Sequence, residues 1–144
     1  MVSWPHNRRD FQDLSLLRIK EAEILLSNQC YAGAYYLLGY AIECALKACI
    51  AKATKRYDFP PNLETVRAIY VHDLTKLLKS AGLEPKHQRL SETKPKFARY
   101  WAIVKDWNEQ VRYQTVIREQ DARDLHLAIT DKQDGVLPWL IKLW

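Results

Sequence analysis

Glycine, methionine and cysteine are scarce in this chain: its 144 residues hold four glycines, one methionine and three cysteines. Glycine-rich phosphate cradles and dinucleotide turns need more glycine than this, and no P-loop, GxSxG or HExxH spacing occurs. The enzyme classes built on those motifs are excluded as far as motifs exclude them. Cys30, Cys44 and Cys49 are odd in number and form no CxxC pair, so a zinc site is not expected. Cys44 and Cys49, five residues apart on one helix, point in different directions and read as small core residues of a reducing compartment rather than a disulfide. A ferritin-like diiron bundle needs a pair of Glu-x-x-His motifs on facing helices, which the chain does not have. No cofactor and no metal are expected.

Long hydrophobic runs are also missing. No apolar stretch reaches the roughly 18 residues that span a bilayer without polar interruption. The opening MVSWPHNRRDF is not followed by an apolar segment. The expectation is a cytoplasmic protein with no membrane partner, folded as one domain over residues 1–144 with a loose tail over residues 1–9.

What is present is an all-α pattern. Residues 31–50, YAGAYYLLGYAIECALKACI, are apolar or small except for Glu43 and Lys47, four residues apart. A helix apolar on nearly every side needs cover from several neighbours and predicts the centre of an up-and-down helical bundle of about five helices. A first helix is expected from near Asp10, where Leu14, Leu17, Ala22, Leu25 and Leu26 recur at intervals of three and four, to Asn28–Gln29. Gly33 and Gly39, inside the second helix, predict close approach of a neighbour, since each costs roughly 1 kcal/mol against alanine. Residues 54–71, with Pro60-Pro61, read mainly as a loop with room for a short helical turn. Asp73 is expected to cap a short helix that Gly82 closes. Pro85 is a candidate start for the next helix, whose pattern is strongest from Pro95 to Asn108 with Phe97, Tyr100, Trp101 and Val104 inward. A last helix starts near Gln120, and Gly135 and Pro138 are expected to break or kink it.

The net charge is +5, and its excess is concentrated. Between Lys76 and Lys105 there are eight Lys or Arg against Glu84 and Glu92, a surplus of six. Threaded with Phe97, Tyr100 and Trp101, this stretch reads either as a surface for phosphates and stacked bases or as a solvated helical face over core aromatics. Glu43 and Lys47 likewise have two readings. They are an ordinary i,i+4 pair at an exposed edge, or Glu43 is buried and needs a counter-charge, for which Arg112 with its bidentate guanidinium is the best candidate.

Tyr31 to Ala48, with the Glu-Cys-Ala-Leu-Lys string at its core, resembles the signature second helix of the HEPN (higher eukaryotes and prokaryotes nucleotide-binding) family. His72-Asp73-Leu74 with Leu77-Leu78 and Ala81-Gly82-Leu83 resembles its short HDL helix, and Trp107 followed by Arg112-Tyr113 resembles its late W…RY element. The likeness covers roughly residues 10–143 and implies a four-helix-bundle-like HEPN fold. It also implies a homodimer framing a cleft for RNA or a nucleotide, working with a separately encoded minimal nucleotidyltransferase in a toxin–antitoxin-like pair. Arg112 and Tyr113 are placed at that cleft by motif, with Lys47 and His72 beside them.

Many HEPN proteins are metal-independent ribonucleases with a late Arg, four to six residues, then His. Here Arg112 is followed by Ile117, Arg118 and Glu119 where that histidine belongs. Arg67 and His72 match the spacing but lie early, and Arg118 and His126 are one residue too far apart. The expectation is therefore a binding module. The alternatives are a divergent ribonuclease drawing on Arg112 or Arg118 with His72 or His126, and a helical adaptor for a protein partner.

Overall fold

The computed structural model describes Pro5, residues 7–54 and residues 63–144, and these are all-helical, with no strand among them. Helix α1 spans Arg8–Ser27 and opens on Asn7, whose side chain accepts the Asp10 amide at 3.0 Å. Asn7 to Arg9 are thus part of the cap and first turn rather than of a loose tail, and Pro60-Pro61 lies outside the described residues. Gln29 turns the chain with φ 60, and α2 runs antiparallel over Tyr31–Ala53. The two helices cross closely, with the buried Ser15 hydroxyl donating to the Ala41 carbonyl at 2.7 Å. Leu38, Ala41, Ile42, Ala45, Leu46, Cys49 and Ile50 of α2 all lie in the main core. By length and composition α2 is also apolar enough to cross a membrane, but its most apolar window is 72% buried inside the bundle, as a core helix requires.

The remaining helices are short. They are α3 (Leu63–Ile69), α4 (Leu74–Ser80), α5 (Glu84–Thr93), α6 (Pro95–Lys105), α7 (Glu119–Thr130) and α8 (Val136–Ile141), with a 3-10 turn at Glu109–Tyr113. Eight helices therefore stand among the described residues where about five were expected, because the connectors themselves coil. Asp73 caps α4 by accepting the Lys76 amide at 2.9 Å, and Gly82 follows with φ 71, both as the sequence predicts. Where one helix was expected from Pro85 toward Asn108, Lys94 separates α5 from α6, because the residue before a proline is pushed out of the α region. Pro138 does not break a helix; it sits in the first turn of α8, where its missing N–H costs nothing.

Two predicted packing features are present. A Cβ on Gly39 would lie 2.1 Å from the ring of Trp107, so the indole rests directly on the α2 backbone. Phe97, Tyr100, Trp101 and Val104 face inward from α6. Their burial leaves the basic stretch without stacking surfaces, so it is a charged face over a core and its aromatics do not meet ligands. Cys44 and Cys49 are buried free thiols, pushed up to about 12 and about 11 by burial, whereas Cys30 is exposed.

His87 on α5 has its ring among Phe97, Trp101 and Trp139, with centroids 4.9 to 5.9 Å away. Among the described residues, its Nε2 and the Ser91 hydroxyl one turn on are buried without a partner. Glu84 to His87 is the one Glu-x-x-His spacing in the chain, and the imidazole is committed to this aromatic box. Burial pushes the imidazole below its ordinary 6.5, so the unfolded chain binds more protons than the folded one as pH falls through that value. The stability gained by keeping His87 neutral is complete above about 6.5 and is lost on acidification. Thermal unfolding between pH 7.5 and 5.5 is expected to show a melting temperature that falls more steeply for the wild type than for His87→Leu.

Candidate functional site

Helical rotation of about 100° per residue places Tyr36, Tyr40, Glu43 and Lys47 on one stripe of α2, about 16 Å long. Glu43 is 1% exposed and Lys47 8%. The Lys47 ammonium donates to Glu43 Oε2 at 3.2 Å, and His72 Nδ1 lies 2.9 Å from Oε1. Both carboxylate oxygens are therefore occupied, one by a cation on the same helix and one by the residue preceding the Asp73 cap. This corrects the expected Glu43–Arg112 ion pair. A bidentate guanidinium has no free oxygen to meet, because the shorter route to neutrality runs within α2 and across to the entrance of α4. It also corrects the picture of Glu43 and Lys47 as an exposed-edge pair.

A carboxylate paired to an ammonium is an acceptor, so Nδ1 of His72 carries a proton, and in the neutral imidazole the lone pair is on Nε2. The imidazole side chain remains 45% exposed, against 2% for Glu43. Around this centre the other reactive groups are quiet. Burial, then the Cys44 thiol and Glu43 nearby, push the Tyr40 phenol up to about 12. The Cys44 thiol is pushed up to about 12 by burial and by Glu43.

Arg112 and Tyr113 occupy the other end of the stripe. The 3-10 turn leaves both exposed, Tyr113 by 69%. The guanidinium lies 4.9 Å from the Tyr113 ring centroid and donates to its hydroxyl at 3.1 Å. Tyr113 and, to a lesser degree, Tyr36 strengthen its hold on its proton. Tyr36 stacks on Tyr40 and on Trp107, each at 6.1 Å. An aromatic ladder thus runs from Arg112 toward the Glu43 cluster. Tyr36, Tyr40 and Trp107 were not among the candidates read from the sequence, although the four-residue spacing of the tyrosines and Glu43 seven residues after Tyr36 carried the signal.

Arg118 and His126 have different hydrogen-bond partners. Arg118 makes two 2.8 Å contacts with Asp121, and His126 Nε2 meets Glu23 at 3.2 Å. Each is paired with a different carboxylate in this structure. His126 lines an open cavity of about 490 Å³ with Glu23, Leu26, Ser27 and Arg123, and Arg123 is already paired to Glu119 at 2.8 Å. A second cavity, about 510 Å³, is lined by Tyr35, Asn108, Asp106, Asp121 and Asp124 among others. Burial and the neighbouring Asp121 and Asp106 push the Tyr35 phenol upward, and this acidic lining does not suit a phosphate. Among the described residues, no group of three or more His, Cys, Asp or Glu side chains is placed to hold a metal. No protein-family profile, no curated protein and no solved structure matches the chain.

Proposed function

We propose that the chain is a nucleotide- or RNA-binding helical module that acts by binding rather than by catalysis, with its ligand held along the α2 stripe. The observation that carries this reading is the Arg112–Tyr113 pair. Unlike Arg18, Arg118 and Arg123, Arg112 has no carboxylate partner among the described residues, and it is stacked on an exposed ring. A guanidinium with no carboxylate partner among the described residues can supply two-point phosphate recognition, and the phenol beside it can supply a face for a base. The surplus of six positive charges between Lys76 and Lys105 adds long-range attraction for a polyanion. On the strength of the resemblance, the working unit in this proposal is a homodimer partnered by a minimal nucleotidyltransferase.

The test is a mobility-shift and cleavage assay on end-labelled single-stranded and structured RNAs at low and moderate salt without metal. The wild type is expected to shift RNA intact and to lose affinity as salt rises. Arg112→Ala should weaken binding about tenfold or more, consistent with a charged hydrogen bond worth roughly 1.5–3 kcal/mol, and should reduce the salt slope by about one. Cleaved RNA would replace the binding reading with a nuclease, and neither shift nor cleavage at low salt would reject RNA as the ligand.

A further inference from the structure

We propose that His72 is a phosphoryl-acceptor site, modified on Nε2. The assignment rests on how Glu43 holds the ring. Nδ1 is committed to a carboxylate that is itself buried and tied to Lys47, at 2.9 Å and 3.2 Å respectively. In the neutral ring that selects the tautomer with its lone pair on Nε2, and the side chain is 45% exposed. A nucleophile oriented by a partner that is oriented in turn by a third group is the arrangement that activates imidazole for covalent chemistry. Among the described residues, the Tyr40 phenol and Cys44 thiol beside the cluster do not compete, since both stay protonated near neutral pH. The other two described histidines are differently placed: His126 spends its Nε2 on Glu23, and His87 Nε2 is buried.

The step is a substitution at phosphorus, with an acyl phosphate as the donor class. Nε2 supplies the electron pair of the new N–P bond, the acyl P–O bond breaks, and the carboxylate departs with the electron pair of that P–O bond. The Nδ1 proton stays on the ring, which becomes cationic and faces the Glu43 carboxylate. The dianionic phosphoryl group would stand at the end of the stripe that begins at Arg112. If the stripe holds RNA, a consequence that rests on the proposed function, the added charge repels it and the modification switches binding off.

The experiment incubates the whole chain with acetyl phosphate and maps the product by intact mass, phosphorus NMR and peptide sequencing at neutral to alkaline pH, where N–P bonds survive. N-acetylhistidine serves as the reference. One phosphoryl group is expected on His72, formed at least tenfold faster than on N-acetylhistidine and faster than on the other histidines. It should be absent in His72→Gln and formed about tenfold more slowly in Glu43→Gln. Label spread evenly over the histidines, a rate equal to the reference, or a folded Glu43→Gln that reacts like the wild type would each overturn the assignment. The wild-type map decides the case even if Glu43→Gln does not fold. Phosphorylated protein should bind RNA at least tenfold more weakly than unmodified protein; equal binding would overturn the switch. Should the unmodified chain bind no RNA, the binding function fails while the acceptor assignment still stands or falls on the label.

Discussion

Glu43→Ala is expected to lower the melting temperature by roughly 10–20 °C, from a loss of about 3–5 kcal/mol. The carboxylate is 1% exposed and neutralises Lys47, which is 8% exposed. Removing it strands an ammonium in the core and leaves a void, and neither can be relieved by solvent. The cost comes from the unpaired partner and does not measure what the pair contributes. Replacing both charges by apolar residues of similar volume, as in Glu43→Leu with Lys47→Met, should therefore recover stability to within about 1 kcal/mol of the wild type or exceed it. Because the His72 ring is half exposed, water can take the place of its lost partner. Urea and thermal unfolding of the single and double variants check this, and an unchanged midpoint for Glu43→Ala would reject the buried cluster.

Gly39→Ala is the second large effect. Three ring atoms of Trp107 lie 2.1 to 2.2 Å from where the methyl would stand, and Trp107 is fully buried. The ring cannot yield alone, because it is stacked on Tyr36 and its chain leads straight into the turn that carries Arg112 and Tyr113. A loss of about 3 kcal/mol is expected, at the upper end for overpacking, with RNA affinity falling in parallel. Trp107→Ala alone should cost about 3–5 kcal/mol. Combining the two should cost well under their sum, since the methyl then enters space the indole has left. Additive losses in a double-mutant cycle would show that the contact is not the cause.

Much of this arrangement was legible in the sequence. The run around Glu43 announced a central helix, Gly39 announced a close neighbour, and Asp73 with Gly82 bracketed α4. The number of helices was not legible, because α3, α4 and α8 have seven, seven and six residues, too few for an apolar period to be read. The basic stretch supported two readings, and the spacing of Phe97, Tyr100, Trp101 and Val104 already favoured the core. The partners of Glu43 divide the same way. Lys47 is four residues away and visible as a local pair, whereas His72 is 29 residues away and meets Glu43 only through the packing of α4 on α2. Arg112 was the better chemical match for a carboxylate, but chemistry without position could not choose between them.

The central place of α2 has a consequence for how the chain folds and fails. Helices α1, α3, α4, α7 and α8 and the 3-10 turn all pack on it, so none of them has a complete apolar surface to rest on until α2 is formed. Unfolding should then be a single cooperative event for these elements. Helices α5 and α6 are not among them, and α5, unlike α6, has no fully buried residue. The amides of α5 should exchange with solvent through local opening, orders of magnitude ahead of those in α2, making it an early point of protease attack among the described helices.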